Sequence, residues 1–247
     1  MIRAIDHMVI LVDDLDSAIT SYTTLGFTVA PGGTHADGAT HNALVVFDDD
    51  TYLELIAFVR PAPAHQWWHH RAAGEGLIDY ALLPGAIDDD IAAARARGLV
   101  ISAAQPGGRL RPDGQRVAWQ TSRPAVVGLP FLCGDLTDRA LRVPRGDLRR
   151  HANGVVGIAG VEVLVEDVWA AAEQYQALLG GAAGPTFPLG TATITLVAPL
   201  PGVGAGDPLR MQLERRGAGP YGLTLRGARP GSLDPALTHG VPIDIVP

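Results

Sequence analysis

The chain has no lysine and only one cysteine, Cys133, among its 247 residues. A single thiol excludes an intramolecular disulfide and leaves the redox compartment undecided. No charged segment precedes an apolar stretch at the N-terminus, and no hydrophobic run approaches the length of a membrane span. A cytoplasmic protein that does not enter a membrane is therefore expected. Positive charge is also thin: 19 basic residues, all arginine, stand against 26 acids, for a net charge of −7. The densest basic stretch, 139–150, is interrupted by Asp147 and preceded by Asp138, so it reads as a solvated linker. Nucleic acid is not an expected partner. Against these absences, 47% of the residues are hydrophobic, enough to fill one large domain or two fused smaller ones. Abundant Ala, Gly, Pro and Arg without lysine is the composition of a GC-rich bacterial genome.

The most informative stretch is Ile5-Asp6-His7-Met8-Val9-Ile10-Leu11-Val12-Asp13-Asp14-Leu15. It reads as a strand running into a helix. Leu15, Ala18, Ile19 and Tyr22 are spaced i, i+3, i+4, i+7, which puts them on one helical face. Asp14 is placed to cap the helix and Gly26 to end it. The pattern recurs at Gly157 to Val168, where Val168, Ala171, Ala172 and Tyr175 repeat the face. In both copies a tyrosine follows the capping aspartate by eight positions (14 to 22, 167 to 175). A weaker copy begins at Ile78-Asp79-Tyr80 and continues through Ile87, Ile91 and Ala94 to Gly98. Acids at 88–90 start that helix and Arg95 and Arg97 finish it, as the helix dipole favours. Internal repetition takes precedence over other signals, and here it implies a βαβββ unit used three times.

Unit one occupies residues 1–60, with later strands at 27–30, 42–47 and 52–58. Pro31-Gly32-Gly33 reads as a turn, followed by a polar loop at 34–40 that contains His35. Unit two occupies 61–135, with strands at 77–83, 99–103, 116–121 and 128–133; Pro106-Gly107-Gly108 echoes the earlier turn. A short helix is expected near His65-Gln66-Trp67-Trp68-His69-His70. Residues 136–154 read as a linker. A degraded third unit fills 155–247, with strands near 191–197, 209–214 and 221–226 and a Gly/Pro-rich loop at 199–208. The fold class is α+β, built of curled mixed sheets, with units one and two paired.

Side chains alternate faces along a strand. His7 shares a face with Val9 and Leu11. Glu54 sits in Tyr52-Leu53-Glu54-Leu55-Ile56, apolar on both sides. A carboxylate buried there without a partner would cost several kcal/mol, so it needs one. A His and a Glu converging in an apolar cup suit a first-row divalent metal or an acid/base pair. The plainer reading, a hydrogen-bonded relic, carries equal weight. Tyr80 reads as a core tyrosine, Cys133 as a small buried apolar residue, and His35 as an exposed loop residue.

The βαβββ repeats, the Ile-Asp-His opening and the Tyr-Leu-Glu-Leu strand resemble the vicinal oxygen chelate superfamily, which includes glyoxalase I, extradiol dioxygenases and bleomycin-resistance proteins. The segment from Gly33-Thr34-His35 to His41-Asn42-Ala43-Leu44 is similar to a bacterial glyoxalase-like group within it. The resemblance implies a divalent metal (Zn, Mn, Ni or Fe) held by His7 and Glu54. His41 is the candidate third ligand, and Glu54 and Tyr80 are the candidate catalytic residues. The chain departs from the superfamily pattern in unit two. Tyr80 stands where a ligand histidine is expected, and the last strand, Leu129-Pro130-Phe131-Leu132-Cys133, holds no acid.

Two functions follow. One is a metal-assisted lyase, isomerase or dioxygenase acting on a small organic carbonyl or aromatic substrate. The other is a metal-free protein that sequesters a small molecule, as the resistance proteins do. Unit three is expected to cover an edge of the paired units or to pair with its counterpart in a second chain; its apolar strands need cover, which favours a homodimer.

Overall fold

The opening strand, β1 (Ala4–Leu11), leads through Asp14 into α1 (Leu15–Thr24). The Asp14 carboxylate accepts from the Ser17 amide at 2.7 Å and so satisfies one orphan donor of the first turn. Leu15, Ala18 and Tyr22 are buried, the face that the spacing predicts. β2 (Ala30–His35), β3 (Thr40–Val46) and β4 (Tyr52–Phe58) complete the unit. A computed structural model describes residues 1–202, 204 and 206–247; positions 203 and 205 of the expected 199–208 loop lie outside them. The next segment repeats the pattern with β5 (Gly76–Leu83), α2 (Ile87–Ala96), β6 (Gln105–Leu110), β7 (Arg116–Ser122) and β8 (Phe131–Asp135).

These eight strands close into a barrel in the order β1-β4-β3-β2-β6-β7-β8-β5. β4 lies parallel to β1 and β8 parallel to β5, and β1 and β5 join antiparallel. The second seam, between β2 and β6, has two pairs only: Thr34 with Leu110, and His35 with Arg109. Both Pro-Gly-Gly segments lie in these seam strands rather than in turns. A Cβ on Gly33 would collide with the Leu110 carbonyl, and one on Gly108 would stand 2.7 Å from the Val117 carbonyl oxygen. At Gly33 the missing side chain lets β2 approach β6 closely enough to close the barrel, and at Gly108 it lets β6 approach its neighbour β7. The expected strand at 99–103 keeps one bridge, Ile101 to Pro124.

The connection at 136–154 holds α3 (Arg139–Arg142) and a 3-10 turn at Gly146–Arg149. Arg142 is 1% exposed, so this stretch is not simply solvated. Its guanidinium can be buried because two carboxylates meet it, as described below.

The remainder forms a second, six-stranded sheet. Its elements are β9 (Val155–Leu164), α4 (Val168–Leu179), β10 (Thr186–Leu189), β11 (Ala192–Val197), α5 (Pro208–Arg216), β12 (Gly219–Gly227), β13 (Gly231–Ser232) and β14 (Ile243–Val246). The strand order is β10-β11-β9-β12-β14-β13. β11 runs parallel to β9, β12 antiparallel to β9, and β14 parallel to β12. β9, β11, β12 and β14 thus stand to one another as β1, β4, β5 and β8 do in the barrel. Residues 209–214 are helical, not extended: the Asp207 carboxylate caps the Arg210 amide at 2.9 Å, and Pro208 starts the helix where its missing N–H costs nothing.

One core joins both sheets. It runs from Ile5, Met8, Ile10 and Leu82 on the outer barrel wall to Val161, Val163 and Leu225 on the second sheet. The apolar strands of unit three thus find cover against this chain's own barrel, the first of the two expected arrangements. No helix among the described residues is long and apolar enough to cross a membrane.

Candidate functional site

The barrel encloses a cavity of about 470 Å³. Pairing between β1 and β5 passes from Ile5 to His7, leaving Asp6 in a bulge. Such an extra residue re-aims the side chains around it, and here the consecutive Asp6 and His7 meet each other and the barrel interior. His7 Nδ1 is 2.6 Å from Asp6 Oδ2. Its ring stacks on Tyr52, 4.6 Å between centroids, the residue paired with it across β1 and β4. Arg142 donates to Asp6 at 2.6 Å and to the Tyr52 hydroxyl at 2.8 Å, and a second carboxylate, Asp135, meets its Nε. Burial pushes the Asp6 carboxyl up, but the Arg142 charge and the His7 hydrogen bond hold it well below the usual range.

Glu54 reaches inward from β4. Its Oε2 lies 3.5 Å from His7 Nε2, and its Oε1 lies 3.4 Å from His35 Nε2. Asn42 donates to Oε1 at 2.5 Å, and His35 Nδ1 lies 2.8 Å from the Thr40 hydroxyl. Burial pushes the Glu54 carboxyl up, but the His35 hydrogen bond and charge, the His7 charge and the Asn42 amide outweigh it and hold the group at about 2. A continuous polar chain therefore runs Asp6–His7–Glu54–His35–Thr40 along the cavity.

His7 and Glu54 lie on neighbouring parallel strands and face the same cavity. His41 and Tyr80 do not join them. Thr40 lines the cavity and Asn42 reaches Glu54, so by strand alternation the intervening His41 faces outward. Tyr80 points to the outer wall, where its hydroxyl lies 2.6 Å from that of Tyr175. His35, read from the sequence as an exposed loop residue, is instead a strand residue beside Glu54; the signal was the Pro-Gly-Gly-Thr-His strand mistaken for a turn. Arg109 and Arg142, which also line the cavity, were missed. Trp67 and His65 line it, whereas Trp68, His69 and His70 do not. Burial pushes the Cys133 thiol up to about 12, which leaves it inert.

The donor types around Glu54, two imidazoles and a carboxylate, suit a first-row metal. Their arrangement does not. Oε2 faces His7 at 3.5 Å and Oε1 faces His35 at 3.4 Å on the other side, Asn42 already donates to Oε1, and strand β8 offers Phe131 and the protonated Cys133. Among the described residues no group of three or more His, Cys, Asp or Glu side chains is placed to hold a metal ion. His7, Glu54 and His41 are therefore not a preformed metal centre.

No curated protein matches the chain. Among solved structures it is similar to a hypothetical protein from Staphylococcus aureus, at 13% identity and TM-score 0.73 over 98% of each chain. It is also similar to a triple mutant of 4-hydroxymandelate synthase from Streptomyces coelicolor, at 18% identity and TM-score 0.64, covering 93% of this chain and 72% of that one. These likenesses establish the fold of curled mixed sheets. A family model, the glyoxalase-like domain, matches residues 5–179, which include both barrel units and every residue of the polar chain. With the paired repeats and the inward His7 and Glu54 already in place, the match is decisive: the chain belongs to the glyoxalase-like domain family of the vicinal oxygen chelate superfamily.

Proposed function

We propose that the barrel cavity is the active site of an enzyme that moves a proton on a small organic carbonyl compound, with His7 as the base. The observation that carries this reading is the 2.6 Å contact between His7 Nδ1 and Asp6. An ionised Asp6 can only accept, so Nδ1 carries a proton, and in the neutral ring Nε2, on the cavity side, is the nitrogen that accepts one; the tautomer is assigned from this contact. At 3.5 Å from Glu54, Nε2 is not tied up in a strong hydrogen bond. Glu54, with a pKa of about 2, is a weak base at neutral pH. Its fixed negative charge instead stabilises the imidazolium that forms when His7 takes a proton. Trp67, Trp119 and Phe131 on the walls leave room for a planar or aromatic substrate, and they also favour the second reading, sequestration without chemistry.

Deuterium uptake from D₂O, followed by NMR on 2-oxo aldehydes, 2-oxo acids and aryl ketones with enolisable C–H bonds, tests the reading. Exchange is expected with the intact protein, and His7→Ala should slow it about 100-fold or more, the scale of general-base catalysis. Compounds that bind without exchanging in the intact protein would replace the enzyme with the sequestering protein.

A further inference from the structure

We propose that the ligand of this cavity carries a carboxylate, and that Arg109 is the residue that binds it. The inference deepens the reading of the cavity as a small-molecule site, and it rests on that reading but not on proton transfer.

Arg109 projects from β6, directly across the barrel seam from His35, and lines the cavity. It is 4% exposed. Its one hydrogen bond runs from Nη2 to the Arg142 carbonyl at 3.1 Å, and its Nε is buried without a partner. No carboxylate among the described residues forms an ion pair with it, although ion pairs are otherwise plentiful here. Arg142 pairs with Asp6 and Asp135, and Arg139 pairs with the same two acids. Glu54 is shared between two imidazoles. Asp79 pairs with Arg123 and Asp90 with the N-terminal amine, so among the described residues the buried carboxylates in and beside the barrel are engaged and Arg109 is a buried cation left over.

A charge taken out of water with no counter-charge is strongly unfavourable. Burial correspondingly pulls the Arg109 guanidinium below the ordinary arginine value. The single bond to a backbone carbonyl is no reason for a charged side chain, because a neutral donor could supply it. A guanidinium with unpaired N–H groups on a cavity wall matches a planar carboxylate, which a guanidinium binds through two parallel hydrogen bonds. One unpaired cation, with the neighbouring Arg142 already saturated, suits a singly charged carboxylate better than a doubly charged phosphate. The His35–Arg109 pairing would set the carboxylate on the opposite side of the seam from His7, leaving the rest of the ligand to cross the cavity toward the proton-transfer chain.

The test is calorimetric titration of the intact protein with phenylglyoxylate, benzoate and 3-phenylpropanoate, each beside its methyl ester, and with inorganic phosphate. At least one acid should bind about tenfold or more tightly than its ester, a difference of about 1.4 kcal/mol, and phosphate should not compete. Arg109→Gln should erase that preference while melting at or above the temperature of the unliganded parent, because it removes an unpaired buried charge. Arg109→Lys, which keeps charge but loses the planar fork, should retain part of the preference and serves if the glutamine variant does not fold. Esters binding as well as acids, no binding of any acid, equal competition by phosphate, or an undiminished preference in Arg109→Gln would each overturn the proposal. An Arg109→Gln variant that loses stability but keeps the preference would show that Arg109 only anchors α3. Acid binding that depends on Arg109 without any deuterium exchange would remove the proton-transfer reading alone. Exchange that runs equally well on esters would remove this inference alone.

Discussion

Glu54 holds two opposing tendencies in one side chain. Burial favours its neutral form, and the imidazoles and amide around it favour the charged one; the second set prevails and its pKa sits at about 2. The sign of the consequence follows. A carboxyl whose folded value lies below its ordinary value of about 4.5 stabilises the fold above that value, and loses this contribution as pH falls toward 2. A shift of this size corresponds to about 3 kcal/mol. Asp6, also held low, acts in the same direction. Urea midpoints measured from pH 6 to pH 2.5 should therefore fall steeply below about 4.5, and Glu54→Gln should flatten that fall. Parallel profiles for the two proteins would mean that the carboxylate is not held as described. At this scale the sequence was informative where burial alone decides and mute where partners decide. A Glu inside Tyr-Leu-Glu-Leu-Ile had to have a partner, and it has three. Nothing local marked Arg142 as buried, because two of its acceptors, Asp6 and Tyr52, lie 136 and 90 positions away along the chain. The chain also says nothing locally about His41, whose outward direction depends on the register of β3.

Individual elements follow local chemistry wherever an aspartate caps a helix. Asp14, Asp167 and Asp207 each accept from an amide of the first turn, and two of these helices were legible from period and cap together. α5 was misread because its apolar residues are few and resemble a strand over a short window; the cap and Pro208 were the better evidence. The seam strands failed for a different reason. Pro-Gly-Gly is turn chemistry by propensity, but here tertiary closure selects the glycines for lack of bulk. Gly33 makes this measurable. At φ +134° and against the Leu110 carbonyl, a methyl group is both strained and obstructed. Gly33→Ala should cost more than the roughly 1 kcal/mol of an ordinary backbone conflict. It should also loosen the His35–Arg109 register, so amide exchange should rise at 34–35 and 109–110 before it rises in β1 or β4. Uniform exchange across the barrel would argue against a weak seam.

Across the whole molecule, the barrel and the second sheet are joined by a shared apolar core and by a pair of buried tyrosines. Tyr175 donates to the Gly128 carbonyl at 2.9 Å, and its oxygen meets the Tyr80 hydroxyl at 2.6 Å. Tyr80, which the sequence resemblance aligns with a ligand histidine, serves the junction between sheets, because strand alternation turns it away from the cavity. The two hydroxyls are not equivalent. In Tyr80→Phe, Tyr175 keeps its bond to Gly128, and the loss should be about 1 kcal/mol, the net worth of one hydrogen bond. In Tyr175→Phe, the Tyr80 hydroxyl is left buried without a partner, and the loss should be larger, about 1–3 kcal/mol beyond the first. Because the core is continuous from Ile5 to Leu225, both losses should appear in one cooperative transition. Far-ultraviolet dichroism should report the whole chain, and tryptophan fluorescence should report mainly the barrel through the buried Trp67 and the cavity-lining Trp119. The two signals should give coincident denaturation curves, and the midpoint should move together in both when Tyr175 is changed. Curves that separate, with fluorescence unmoved by Tyr175→Phe, would show that the barrel folds independently of the second sheet and that the tyrosine pair does not couple them.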